Sequence, residues 1–229
     1  MRRHLLAALA LTVGAAPLAG QAARAGIAVM PFDDAGSYGQ DKETFQALRL
    51  GIPAMLASEL ARNPAAQVAE RGEVQQLVAR QDLGDRGRVD AATAARIGRE
   101  LGARHVVMGS FTDFYGKVRI DARIVDAATG QIVEVVSVGQ GERQGLFRMI
   151  QTAAQRIMEE IGLPALPAEA AGAAKTRSVP TEALIHYSRA LLHHDRGEID
   201  QAVESYRRAL QAFPEYVEAR EGLRRARPS

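Results

Sequence analysis

Three groups of residues have side chains suited to chemistry. His105, Ser110 and Asp113 are the residue types of an acyl-transfer triad. His193, His194 and Asp195, with Glu198 nearby, are metal-ligand types. Asp33 and Asp34 follow an apolar run and are of the type that holds Mg²⁺ or works as an acid/base pair. Spacing argues against each. His105 and Ser110 are five apart in an extended stretch, so they point to opposite faces. Adjacent histidines on one helix diverge by about 100°. No phosphate-cradling glycine loop accompanies the two aspartates. Arg86 and Arg88, between Gly84 and Val89, read as part of a linker rather than an anion site. Glu70-Arg71 reads as an exposed charge pair at a strand end, of a kind that contributes little. The expectation is a non-enzymatic chain with no catalytic residue, no cofactor and no metal.

Composition agrees. Cysteine is absent from the 229 residues, which excludes thiol catalysis, disulfides and cysteine-ligated metals. Tryptophan is absent and aromatics are 5%, too few for a nucleic-acid stacking platform. The net charge of +2 depends on the first 25 residues, which hold three of the 29 Lys and Arg and none of the 27 Asp and Glu. Without them the net charge is −1, and there is no clustered cationic surface to argue for nucleic acid.

Those 25 residues look like an address. A basic head, Met1 to His4, precedes the apolar run LLAALALTVGAAPLA and the small-residue sequence Ala23-Arg24-Ala25. This is the pattern of a secretory signal peptide, with cleavage expected between Ala25 and Gly26 and an alternative cut after Ala22. The run is shorter than the about 20 residues needed to span a bilayer. No later segment is apolar enough to span, so the mature chain is expected in the periplasm, with peripheral association with the outer membrane left open.

The elements behind the candidate residues follow from periodicity. GIAVMPF (26–32) reads as a strand buried on both faces. From about 44 to 62, Phe45, Leu48, Ile52, Met55, Leu56 and Leu60 recur at helical spacing, with Gly51 and Pro53 expected to kink or restart the helix. A short strand near 67–70 and a helix over about 72–81 come next. Asp90 is placed to cap a further helix and Gly102 to stop it. Three strands, at 104–114, 118–125 and 131–138, precede a helix at 146–161. In the middle strand Val118, Ile120, Ala122 and Ile124 face one way and Arg119, Asp121 and Arg123 the other, the alternation of a half-buried antiparallel strand. Pairing Asp126 with Gln131 sets Ile124 against Val133, Ala122 against Val135 and Arg123 against Glu134. Residues 162–180, with three prolines among alanines, read as an exposed linker.

IAVMPF, GIPAMLASELAR, VAERGEVQQLV, TAARIGRELGARHVVMGSF and VRIDARIVDAATGQIV, in this order, resemble the CsgG/HfaB family and the related TolB N-terminal-like domains over about residues 26–161. The resemblance implies an α/β fold, a mixed-sheet sandwich with helices packed on it, in a cell-envelope protein. The best-known family member is an oligomeric outer-membrane channel for curli secretion. This chain lacks a lipobox cysteine, and its one clear hairpin carries Arg119, Asp121 and Arg123 outward where a membrane strand needs an apolar face.

The remainder, 181–229, reads as a small all-α helical hairpin with a third helix. RGEIDQAVESYRRALQAFP resembles the second half of a tetratricopeptide repeat: Gly197 at the turn, Ala202 and Ala209 as the small residues, Tyr206 as the aromatic and Pro214 as the stop. Ala190 suits the small position of the first helix, whereas His186, Arg189 and His193 stand where large apolar residues are usual. Repeat units need about three copies to bury a continuous core, so this tail is expected to dock on the first domain or on another chain. Together these features imply an exported assembly or protein-interaction component with protein partners in the envelope and a homo-oligomer as one form of partner. The alternatives are a curli-type secretion channel and an uncharacterised hydrolase.

Overall fold

The computed structural model describes residues 24–39, 41–81 and 89–226. The signal-peptide reading up to residue 23 and the Arg86 and Arg88 segment lie outside the described residues. Among the described residues five strands form one sheet in the order β2-β1-β3-β4-β5: β1 (Ala25–Asp34), β2 (Ala66–Val68), β3 (His105–Phe114), β4 (Lys117–Asp126) and β5 (Ile132–Glu142). β1 runs parallel to β2 and β3, while β3, β4 and β5 are antiparallel neighbours. A bulge between Val29 and Phe32 brackets Pro31, which has no N–H to give to a ladder.

Helices cover both faces. On one side α1 (Lys42–Ala61) and α4 (Leu146–Glu160) bury Leu48, Ile52, Met55, Ile150, Ala154 and Ile157 against the sheet. On the other, α2 (Arg71–Ala79) and α3 (Ala91–Glu100) pack Val74, Leu77, Ala94 and Ile97 on Ala28, Met30, Val106 and Met108. Asp90 caps α3 as its spacing predicts, its carboxylate accepting from the Thr93 N–H at 2.7 Å. Gly102, at φ +66°, ends that helix.

The alternation in β4 is borne out: Val118, Ile120, Ala122 and Ile124 are all fully buried. The partner register is not. Ile124 faces Glu134, Arg123 faces Val135 and Ala122 faces Val136, with an irregularity between Ile124 and Val125. The Asp126 N–H still bonds the Gln131 carbonyl at 3.0 Å. The extra residue just beyond that turn shifts the pairs from Ile124 to Ile120 by one, so Arg123 has no facing Glu134, and a second irregularity between Val118 and Ile120 adds another residue.

α1 is likewise continuous through Gly51 and Pro53. The missing Pro53 N–H removes one internal bond, but α1 is held from two sides. Its second neighbour is the C-terminal helical unit, α6 (Thr181–Asp195), α7 (Ile199–Ala212) and α8 (Val217–Ala226). Gly51 is where the helices touch: a Cβ there would sit 1.7 Å from the Ser188 Oγ of α6. Residues 162–180 are not simply extended. They contain α5 (Ala168–Thr176), as its alanines favour, and end on buried Val179. Arg177 bridges Glu59 of α1 at 2.5 Å and Glu218 of α8 at 2.6 Å. Among the described residues no helix is long and apolar enough to cross a membrane.

Candidate interaction surface

The residues singled out for chemistry do not converge. His105 and Ser110 sit five positions apart in β3, opposite Asp126 and Asp121 of β4. Asp113 is fully buried and engaged with Arg143 Nε at 2.5 Å and the Gly116 N–H at 2.8 Å, which ties down the β3–β4 turn. Asp34 closes a local turn, accepting from the Ser37 N–H at 2.7 Å. Arg71 pairs with Asp195 at the end of α6 instead of with Glu70. His193 Nδ1 lies 2.6 Å from Glu198 and its Nε2 3.8 Å from Glu43 of α1, so it links three helices. Among the described residues no group of three or more His, Cys, Asp or Glu is placed to hold a metal ion.

The His105 imidazole is held below its ordinary value by burial and by neighbouring Arg104, with Asp126 offsetting part of this. His186 shifts the same way, through burial and Arg189. Both are more easily protonated in the unfolded chain, so the stability they contribute is complete above about 6.5 and is lost as pH falls through the lowered folded values. Melting temperature should therefore drop between pH 7.5 and 5.5, and the double variant His105→Gln/His186→Gln should flatten that slope in a circular-dichroism melt. An unchanged slope would mean the two side chains are solvated.

What the surface does present is apolar. β5 is an edge strand among the described residues, pairing only with β4. Its second half is covered by α4 through Val136 and Val138. Its first half overhangs: Ile132, Val133 and Val135 are 46%, 54% and 51% exposed. An uncovered apolar edge is a template for a further strand. The sequence carried a signal for this, since Ile132, Val133 and Val135 are too many apolar residues for a strand with one wet face.

A second patch lies at the other end of β4, about 30 Å away at ~3.4 Å per residue. The two-residue turn Tyr115-Gly116 joins β3 to β4 with both residues at positive φ, +50° and +88°, the backbone of a tight hairpin. A tyrosine rarely adopts that conformation. Here it places the Tyr115 ring 5.1 Å from Phe114 and 5.3 Å from Tyr38. All three rings are more than half exposed. The Tyr38 N–H donates to the Asp113 carbonyl at 2.8 Å, so the cluster is fixed to the end of β3. Nothing in the periodicity foretold it, because Tyr38 meets the hairpin only through the loop after β1.

The tail residues are placed as follows. Gly197 turns α6 into α7 at φ +76°. Ala190, Ala202, Tyr206 and Ala209 are buried, and Pro214 follows α7 at the surface. The Tyr206 ring occupies the space a side chain on Gly222 of α8 would need, and Tyr216 donates to the Met55 sulfur of α1 at 2.9 Å. His186, Arg189 and His193 are out of place for a repeat helix, and the last two have a partner in α1: Arg189 bonds Thr44 at 2.9 Å and His193 reaches Glu43. Ala25 opens β1, its N–H bonded to the Ala65 carbonyl at 2.8 Å. Gly26 lies so close to the Gly102 carbonyl, 2.7 Å from where a Cβ would be, that a side chain would force a shift.

A comparison with curated protein sequences finds no match. Among solved structures, the chain resembles lipoprotein GNA1162 from Neisseria meningitidis at 19% identity and a TM-score of 0.41, covering 59% of this chain and 96% of that one. It resembles the LpoB C-terminal domain from Salmonella enterica at 16% and 0.38, covering 54% and 87%. With TolB from Acinetobacter baumannii the values are 12% and 0.42, covering 62% of this chain but 29% of TolB. Residues 11–119 match the family model described as "Curli production assembly/transport component CsgG", and over that stretch the chain is similar to this family.

Proposed function

We propose that this chain is an exported, non-enzymatic component of the cell envelope that acts by binding protein, as an assembly or interaction part. The observation that carries the reading is the uncovered first half of β5, with Ile132, Val133 and Val135 exposed on an unpaired edge. The CsgG match supports the envelope setting. The basic head and apolar run before Ala25 support export. The tail, which resembles a tetratricopeptide repeat, packs α6 on α1, with Ser188 against Gly51 and Arg189 bonded to Thr44, and so serves to brace the α/β part. A secretion channel finds less support, because β4 presents Arg119 and Arg123 on its exposed face.

The test is crosslinking with mass spectrometry in intact cells, wild type against Val133→Lys/Val135→Lys. Both positions are solvent-exposed, where substitutions usually change stability by within about 0.5 kcal/mol. Crosslinks from β5 to a protein partner are expected, and should disappear in the variant while its melting temperature holds. Isotope-mixed chains distinguish a second copy from another protein. Crosslinks that persist in the variant would remove β5 from the interface.

A further inference from the structure

Between the C-terminal half of α1, α4 and α5 lies a cavity of about 540 Å³, within the ~300–1,000 Å³ range of small-ligand sites. Part of its wall is apolar: Ala154 and Met158 from α4, and Leu163 and Leu166 from the segment leading into α5. Three cations also line it, Arg62, Arg148 and Lys175. Among the described residues none of the three side chains makes an ion pair or a hydrogen bond. The Nε of Arg62 is shut off from solvent with no acceptor. A buried donor left unpaired is costly and uncommon, and this one belongs to a residue of the cavity wall.

Of the two acids of the wall, one is paired with a cation and the other is hydrogen-bonded to a neutral amide. Glu59 gives one oxygen to Arg177 at 2.5 Å and the other to Gln151 at 3.4 Å. Glu159 accepts from Gln155 at 3.0 Å. Three cations against two carboxylates, one of them paired with Arg177, leave the wall net positive beside hydrocarbon. We infer that the cavity binds a small amphiphilic anion, a carboxylate or phosphate head on a single hydrocarbon chain. The head sits at Arg62 and the chain lies along Met158, Leu163 and Leu166. This site is separate from the β5 edge, and either can fail without the other.

The experiment is calorimetric titration of the full chain with laurate, dodecyl phosphate, dodecanol and inorganic phosphate. One equivalent of laurate or dodecyl phosphate should bind about tenfold or more tighter than dodecanol, the range expected of a charge-assisted hydrogen bond. Whichever anion binds tighter identifies the head. Arg62→Gln should weaken that binding by a similar factor with an unchanged melt of the free protein. Ala171→Trp, at an exposed α5 position on the cavity wall, should block it without touching a cation, and decides the matter alone if Arg62→Gln does not fold. The inference is overturned if both anions bind no tighter than dodecanol, or if inorganic phosphate binds as well as dodecyl phosphate. It is also overturned if Ala171→Trp binds as wild type does.

Discussion

Ala122→Asp should abolish the cooperative melt of this protein, whereas Arg119→Ala, three residues away on the same strand, should leave it nearly unchanged. Ala122 is 0% exposed. Its neighbours across the sheet are Gly109 of β3 and Val136 of β5, neither with a polar side chain. Space is short as well: the Phe32 ring fills the volume above Gly109, 2.7 Å from where a Cβ would be. A carboxylate there is either ionised without a partner or protonated without one, and an uncompensated buried charge costs about 3–5 kcal/mol. That is a large share of the roughly 5–15 kcal/mol that stabilises a domain. Arg119 points to solvent and bonds Asp121 at 2.8 and 2.9 Å. Asp121 keeps Ser137 when Arg119 is cut, so the loss should stay within about 1 kcal/mol. Circular-dichroism melts of the two variants decide; an Ala122→Asp melt close to wild type would place β4's other face inward.

Gly51→Ala should be the second severe change, although alanine is the better helix former by about 1 kcal/mol. The added Cβ would lie 1.7 Å from Ser188 Oγ, 2.5 Å from its Cβ and 3.2 Å from its Cα. Rotating the serine side chain relieves only the first of these, so α1 and α6 must separate. Forced overpacking costs about 1–3 kcal/mol. Parting the helices also disturbs the bonds from Arg189 to Thr44 and from Tyr216 to Met55. The expected result is a lower melting temperature and protease cutting within 162–180 at concentrations that spare wild type. Ser188→Gly in the same chain removes the two closest contacts and should restore much of the loss, less about 1 kcal/mol for a glycine in α6. If Gly51→Ala instead raises the melting temperature, the helices do not touch there.

How far these features were legible depends on the range over which each is determined. The faces of β4 follow from alternation within eight residues, and the cap of α3 from Asp90 and its near neighbour Thr93. The partner register of β4 and β5 turned on one extra residue near Val133, and Ile132-Val133 carries no mark of a bulge. Pro53 predicts a break by a local rule that loses to packing on both sides of α1. Arg177 is 118 residues from Glu59 and 41 from Glu218, so no spacing pattern announces that bridge. The cations of the cavity, Arg62, Arg148 and Lys175, come from three helices or helix ends and form no motif. His186, Arg189 and His193 did carry information. For Arg189 and His193, the misfit with an apolar repeat face marks a polar contact with α1.

The position of α1 has a consequence for how the chain reaches its native state. Its inner side rests on strands that end at residue 142, and its outer side on helices that end at residue 226. A helix synthesised within the first 61 residues is therefore not enclosed until the last helix is available. Contacts of such long sequence separation close late and slowly, and the apolar surface they will cover stays accessible meanwhile. A chain built this way resists folding early, and one side of α1 stays accessible to other apolar surfaces until the final helix is available.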